Sequence, residues 1–208
     1  MAGVSIVNLF ENGLRRYLSE EQLTKIQQTS VGIAGAGGLG SNCAIMLVRS
    51  GFKKITLVDF DKVDVSNLNR QNYFTKQVGA SKVSALADIL CAINPDLHLT
   101  IVNDKITEKN IHDIFFSCDI IIEALDTPEG KTLMVETMAE TKKLLVTVSG
   151  LAGFGNSDRI KTHKINEHFY VIGDLESGID RLPPLAPGVT IAAAKQVDLV
   201  LEFVLSKG

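Results

Sequence analysis

The chain has 208 residues, 45% of them hydrophobic, and a formal net charge of −3. That length suits one domain with a sizeable core, or one domain with an appended segment. The acidic balance gives no electrostatic reason to expect a nucleic acid or an anionic membrane as partner. No apolar run approaches the roughly 20 residues of a membrane helix. The N-terminus lacks the basic stretch ahead of an apolar core that marks a signal peptide, so the cytoplasm is the expected compartment.

Residues 1–28 read as helical, with Leu14, Leu18, Leu23 and Ile26 able to pack and Arg15 and Arg16 left polar. Residues 30–35 form a short apolar run, a buried strand. Residues 38–50 follow as a helix with Leu39, Cys43, Met46 and Leu47 at helical spacing. Strand and helix patterns then alternate. Residues 55–59 (ITLVD) are a strand, and 81–92 a helix with Val83, Leu86, Ala87 and Leu90 on one face. Residues 97–102 are a strand, 106–115 hold a short helix, and 120–124 (IIIEA) are a strand. Residues 128–141 are a helix with proline in its first turn, and 144–148 a strand. This order predicts an α/β doubly wound, Rossmann-like fold, and the near-continuous apolar strands fit a mostly parallel sheet buried on both faces.

Past Gly150 the pattern changes. Residues 159–165 and 169–172 read as two strands of an antiparallel extension, and Pro183, Pro184 and Pro187 mark an irregular loop. Residues 189–205 form the last helix. Its apolar stripe of Val197, Val200, Leu201 and Val204, widened by Leu199 and Phe203, is either deeply buried or meets a second subunit, with burial ahead. The whole chain, residues 1–208, thus reads as one domain. It has an N-terminal helical segment (1–28) and a C-terminal part (151–208) of extension, loop and helix. Cys43, Cys91 and Cys118 stand far apart with no metal-ligand spacing, and read as small buried residues.

Gly35, Gly37 and Gly40 satisfy G-x-G-x-x-G between a strand and a helix. The first glycine permits a tight turn, the second lets phosphate approach the backbone, and the third allows close helix–strand packing. The helix N-terminus then offers free N–H groups to an anion. Asp59 ends the second strand, about 20 residues on, where an acid grips ribose hydroxyls and disfavours a 2′-phosphate. NAD is the first ligand this suggests. Hydride chemistry needs substrate-activating groups as well, and none is evident: there is no Tyr-x-x-x-Lys pair, and the four histidines are scattered. The Walker-type phosphate loop is also absent.

Three further stretches matter: DFDKVDVSNLNRQNYF from Asp59, GASKVSA from Gly79, and EALDTPEGK from Glu123. They place Arg70, Lys82 and Asp126 after strands, on the edge of the sheet that carries the glycine loop. There they could hold a triphosphate and its Mg²⁺. At this point the chain resembles the adenylating enzymes that activate ubiquitin-like proteins, the ThiF, MoeB and HesA group and the ubiquitin-activating enzymes. The resemblance rests on Gly35 to Gly40 as GAGGLG, with Gly38 inside it, on Asp59-Phe60-Asp61, on Asn67-Leu68-Asn69-Arg70-Gln71, on Gly79 to Lys82, and on Asp126. It spans residue 16 to the C-terminal helix.

The resemblance implies an ATP-binding adenylation domain. The C-terminal carboxylate of a small β-grasp carrier ending in Gly-Gly would attack the α-phosphate of ATP, and pyrophosphate would leave. By analogy Asp59 binds the ribose, with Asp61 beside it. Arg70 and Lys82 neutralise the phosphates, Asp126 positions Mg²⁺ and is essential, and Asn67 and Gln71 contact phosphate or ribose. An N-terminal arginine, Arg15 or Arg16 with Arg16 favoured, would reach the neighbouring subunit's site, which implies a homodimer. Many relatives hold zinc through two C-x-x-C pairs; this chain has neither, so no zinc is expected. No cysteine follows Cys118, so no covalent cysteine step is expected.

The short, zinc-free form most resembles the ThiF-like proteins of thiamine biosynthesis, which act on a ThiS-like sulfur carrier. A molybdopterin-type carrier is the alternative. A tRNA-modifying relative is disfavoured by the acidic balance. From another class, a Rossmann module that senses NAD or ATP without turnover would need only the glycine loop and Asp59. A dehydrogenase ranks behind both.

Overall fold

A computed structural model describes residues 8–178 and 182–206. The first seven residues of the predicted N-terminal helical segment, the centre of the proline-containing loop (179–181), and residues 207–208 lie outside the described residues. Seven strands form one sheet: β1 (Ser30–Ala34), β2 (Lys54–Val58), β3 (His98–Val102), β4 (Ile120–Glu123), β5 (Leu144–Val148), β6 (Lys161–Lys164) and β7 (Phe169–Gly173). Their order is β3-β2-β1-β4-β5-β7-β6. All neighbours pair in parallel except β6 and β7. The C-terminal extension is therefore antiparallel within itself, while its inner strand β7 continues the parallel sheet beside β5.

Alternation along the strands divides the core. Val31, Ile33, Ile120, Ile122, Leu144 and Val146 face one layer, which also takes Ile26, Cys43, Leu47, Leu86 and Val197. That layer holds α2 (Glu20–Gln28), α3 (Gly38–Arg49), α4 (Lys82–Ile93) and α7 (Ala186–Ser206). Ala34, Ile121 and Leu145 face the other layer, against Ile111, Phe115, Met134 and Met138 of α5 (Ile111–Phe115) and α6 (Pro128–Met138). Gly32 admits the Phe115 ring, because a methyl group there would lie 2.6 Å from it. Burial of the last helix resolves in favour of the core: Val189, Ala192, Ala193, Gln196, Val197 and Val200 are buried against the sheet and α3. Among the described residues, no helix is long and apolar enough to cross a membrane.

Within its described residues the N-terminal helical segment is two helices, α1 (Leu9–Leu14) and α2, because Ser19 starts the second with a reciprocal capping box to Gln22. One sequence expectation changes. Cys43 and Cys118 are buried, in the two opposite layers, but Cys91 is exposed on the solvent face of α4. Its place in an apolar run had suggested burial.

The N-terminal helices pack at the amino edge of the parallel strands. Glu11 pairs with Lys53 (2.6 Å), just before β2, and Asn8 donates to Asn94 Oδ1 (2.8 Å) and Asp96 Oδ2 (2.7 Å), just before β3. The opposite edge is where the chain reverses direction across the sheet, between β1 and β4. Backbones meet closely there. Gly35 has φ +101°, and a methyl group on it would lie 2.6 Å from the Ala124 carbonyl oxygen. A methyl group on Gly40 would lie 1.8 Å from the Gly35 carbonyl oxygen. Gly40→Ala is expected to destabilise the protein by about 1–3 kcal/mol, since backbone cannot yield as a flexible side chain does. Urea denaturation of the variant beside wild type measures this.

Candidate functional site

At that reversal lies a cavity of about 740 Å³, open to solvent. Ligands of open α/β sheets bind at this place, outside the strand carboxyl ends at the switch point. Of the residues singled out in the sequence, Gly35, Gly37, Gly38, Asp59, Asp61, Asn67, Arg70, Gln71, Lys82 and Asp126 all line it. Gly40 sits behind the loop as the packing contact. Arg16 does not line the cavity. It is exposed in the turn between α1 and α2, at the far edge of the sheet, while its neighbour Arg15 pairs with Glu20 (2.6 Å).

The glycine loop is fastened by the strand that follows it. Asp59 accepts hydrogen bonds from the Ala36 N–H at Oδ2 (2.6 Å) and from the Asp61 N–H at Oδ1 (2.8 Å). The carboxylate thus orders the loop while remaining on the cavity wall. Tyr73 was not singled out in the sequence. It is buried, and its hydroxyl lies 2.7 Å from the Ala36 carbonyl oxygen and 3.2 Å from that of Lys82. It ties the glycine loop to the start of α4. Burial, with Asp59 nearby, pushes its pKa far up and keeps it neutral.

The segment between β2 and α4 is laid across the first turn of α3. Asn42 Nδ2 donates to the carbonyls of Gly38 (2.7 Å) and Arg70 (3.2 Å), and the Asn72 N–H donates to Ser41 Oγ (3.2 Å). This brings the two cations to the cavity in different states. Lys82, only 6% exposed, is paired with Asp61 at 2.7 Å. Among the described residues, Arg70 is held only by neutral acceptors: Asn69 Oδ1 (2.8 Å), Asn67 Oδ1 (2.9 Å) and the Ser66 carbonyl (3.4 Å). Its guanidinium is positioned with its charge uncompensated, the state suited to an anion. Gln71 is buried against Gly37, and its Oε1 has no hydrogen-bond partner among the described residues.

Across the cavity, Asp126 follows β4 in an exposed position. Its carboxylate has no hydrogen bond or ion pair among the described residues. The next residue, Thr127, caps α6 by accepting the Gly130 N–H (3.2 Å), so Asp126 stands at a helix entrance.

The profile of the ThiF family matches residues 11–207. The chain belongs to the ThiF family. It is 39% identical over 129 residues to ubiquitin-like modifier-activating enzyme 5 of Caenorhabditis elegans, a match covering 57% of this chain and 31% of that protein. It is 32% identical over 143 residues to the tRNA threonylcarbamoyladenosine dehydratase of Escherichia coli strain K12, covering 68% of this chain and 53% of that one. The chain thus spans from about a third to about half the length of these two relatives. In three dimensions, the crystal structure of the Escherichia coli dehydratase in complex with AMP matches with a TM-score of 0.85 and 23% identity, over 94% of both chains. That likeness shows the shared fold.

The far wall of the cavity is formed by the chain after β5 and by the start of α7, including Ser177 and Pro184. One acid organises it. Asp174 is bound by Arg159 and accepts the N–H groups of Ser177 (2.8 Å) and Glu176 (3.0 Å). Desolvation alone would raise its pKa. The two N–H groups and the Arg159 charge outweigh that and bring it down to about 2. A carboxylate with a lowered folded pKa contributes stability above its unfolded value, and loses it as pH falls through the folded value. Stability is therefore expected to fall between about pH 4 and pH 2 through Asp174. Asp174→Asn should flatten that part of the curve in thermal melts run across this range.

Proposed function

We propose that this chain is an adenylyltransferase: with Mg-ATP it activates the C-terminal carboxylate of a Gly-Gly-ended β-grasp sulfur carrier and releases pyrophosphate. The observation that carries the reading is the arrangement of charge. An uncompensated Arg70 and a paired Lys82 share one crevice with a glycine loop, and an unpartnered Asp126 faces them. A nucleotide sensor needs no such set.

In this reading the phosphates lie over the glycine loop and the first turn of α3, where backbone N–H groups and the helix dipole favour negative charge. The carrier carboxylate oxygen attacks the α-phosphorus. The bond from that phosphorus to the oxygen bridging to the β-phosphate breaks, and pyrophosphate departs. Arg70 and Lys82 offset the charge that grows on the leaving group, so catalysis is positioning and electrostatics. Asp59 and Asp61 take the ribose side, and Asn67 and Gln71 lie between. Among the described residues, no three His, Cys, Asp or Glu side chains form a metal cage. A lone, exposed carboxylate at Asp126 fits magnesium, which is held through one or two carboxylates, waters and nucleotide phosphates. Bound there, magnesium would supply further neutralisation of the phosphate charge.

The carrier is proposed to be ThiS-like, with a molybdopterin-type carrier as the alternative. Its tail would be guided by the loop of which residues 173–178 and 182–187 are described. The enzyme is proposed to work in the cytoplasm as a homodimer, with Arg16 of one subunit completing the partner's site. Arg16 is exposed and remote from its own cavity, as an arginine acting in trans must be.

A second reading has in its favour the 32% identity over 143 residues to the tRNA threonylcarbamoyladenosine dehydratase of Escherichia coli. A threonylcarbamoyl group also carries a carboxylate that ATP could activate. The net charge of −3 weighs against a tRNA substrate.

ATP–pyrophosphate exchange with a panel of Gly-Gly-ended carriers, and with tRNA bearing the modified adenosine, separates these readings. Exchange is expected with one carrier and is expected to vanish in Asp126→Ala while ATP-free thermal stability stays unchanged. Exchange driven only by tRNA supports the second reading, and exchange with none from a protein that binds ATP supports a sensor. For the dimer, Arg16→Ala and Asp126→Ala subunits should each be inactive alone. Mixed as a statistical C2 dimer, they are expected to recover about a quarter of wild-type exchange. No recovery from mixed dimers would remove Arg16 from the site.

A further inference from the structure

Strand β4 ends in a residue that the reaction above does not use. Glu123 is fully buried at 0% exposure, in a strand that otherwise reads Ile-Ile-Ile. A buried carboxylate is costly unless its oxygens are paired and hydrogen-bonded. Here every position is filled. Oε1 accepts the Leu125 N–H (2.7 Å) and Lys131 Nζ (3.0 Å), and Oε2 accepts Lys131 Nζ (3.0 Å) and the Thr147 hydroxyl.

Lys131 is filled as well. It lines the nucleotide cavity and is 30% exposed, so by position it resembles a third phosphate cation. An ammonium has three donors. Lys131 directs them to the two oxygens of Glu123 and to the Val148 carbonyl (3.1 Å). No donor remains for a phosphate, and no lone pair of Glu123 remains for a metal or a proton in transit.

A closed pair of this kind holds something in place, and its neighbours show what. The Leu125 N–H that Glu123 accepts belongs to the residue before Asp126, and Lys131 stands in the first turn of the helix that Thr127 caps. Asp126 therefore hangs between two fixed points. Gln196 of α7 adds a third tie. It is buried, and its Nε2 donates to the carbonyls of Glu123 (3.2 Å) and Val146 (3.1 Å), where the ladder between β4 and β5 ends.

We propose that Glu123 and Lys131 form a positioning pair. It clamps residues 124–127 to the sheet, so that the Asp126 carboxylate is held out toward the nucleotide site without touching substrate through either member. The link to catalysis rests on the adenylation reading; the clamp itself does not.

The test uses the full chain with both members replaced, Glu123→Leu/Lys131→Met. Removing both leaves no uncompensated buried charge, which is the replacement cores tolerate. Two quantities are read, neither requiring turnover: amide hydrogen exchange across residues 124–131, and the magnesium concentration needed for half-maximal ATP binding. The expected result is exchange faster by about tenfold in that segment, the size of one lost hydrogen bond to a charged group. Protection in β1 and β2 should be unchanged, the magnesium requirement raised, and magnesium-free ATP binding retained. A folded double variant with unchanged exchange and unchanged magnesium dependence overturns the proposal, because a merely structural pair would move only the melting temperature. Should the double variant fail to fold, Thr147→Val decides. It removes one partner of Glu123 from β5, outside the loop. It is expected to speed exchange at 124–127 roughly threefold, and no change overturns the clamp. Wild-type protein that exchanges no pyrophosphate would end the adenylation reading, while the hydrogen-exchange result would still decide for or against the clamp.

Discussion

Three backbone segments converge where β1 ends, and the crevice is built outward from that contact. Gly35 leaves the strand with a positive φ under the carbonyl of Ala124, and Gly40 returns against the carbonyl of Gly35. No side chain fits between them. That contact brings the first turn of α3 close to the sheet and aims its free N–H groups into the crevice between β1 and β4. A wider separation would move the helix dipole away from any phosphate and open the floor on which Asp59 and Tyr73 hold the loop.

Given that floor, charge is distributed by local chemistry. Arg70 and Lys82 arrive on one irregular segment, yet they meet different partners. Two asparagines orient Arg70 without neutralising it, whereas Asp61 neutralises Lys82. Under the adenylation proposal, anion binding would rest first on Arg70, whereas Lys82 is already paired with an acid that is itself partly exposed. On the opposite wall the acids divide in the same way. Glu123 is saturated and buried, while Asp126 has no partner among the described residues and is exposed, three residues apart in one stretch of chain.

The far wall satisfies its polar groups in a similar way. Asp174 gathers two N–H groups and one guanidinium. Arg159 reaches from Asp174 to the Ala152 carbonyl, and Asn69 reaches the Pro184 carbonyl (3.2 Å). Irregular chain over a cavity cannot satisfy its backbone through a ladder, so side chains must do it. These ties join the C-terminal part of the chain to the segment that carries Arg70, and α7 continues them down to Glu123 through Gln196.

The alternation of strands and helices, the main apolar stripe of most helices, and the edge on which the site lies were all legible along the chain. All of these follow from short-range periodicity and from glycine stereochemistry. The sequence also named part of the cavity wall, because Gly35, Asp59, Arg70, Lys82 and Asp126 follow strands that must end on the same side. Folding alone revealed that β7 pairs in parallel beside β5, that Arg16 lies across the sheet from its own cavity, and that Cys91 faces solvent. Periodicity tells which face a residue takes, not which strand or surface will meet it. Tyr73, Glu123, Lys131 and Gln196 were not legible for the same reason. Each looks ordinary along the chain, and its work consists of hydrogen bonds to residues brought near by folding. A buried charge is recognised only once its partners are in place.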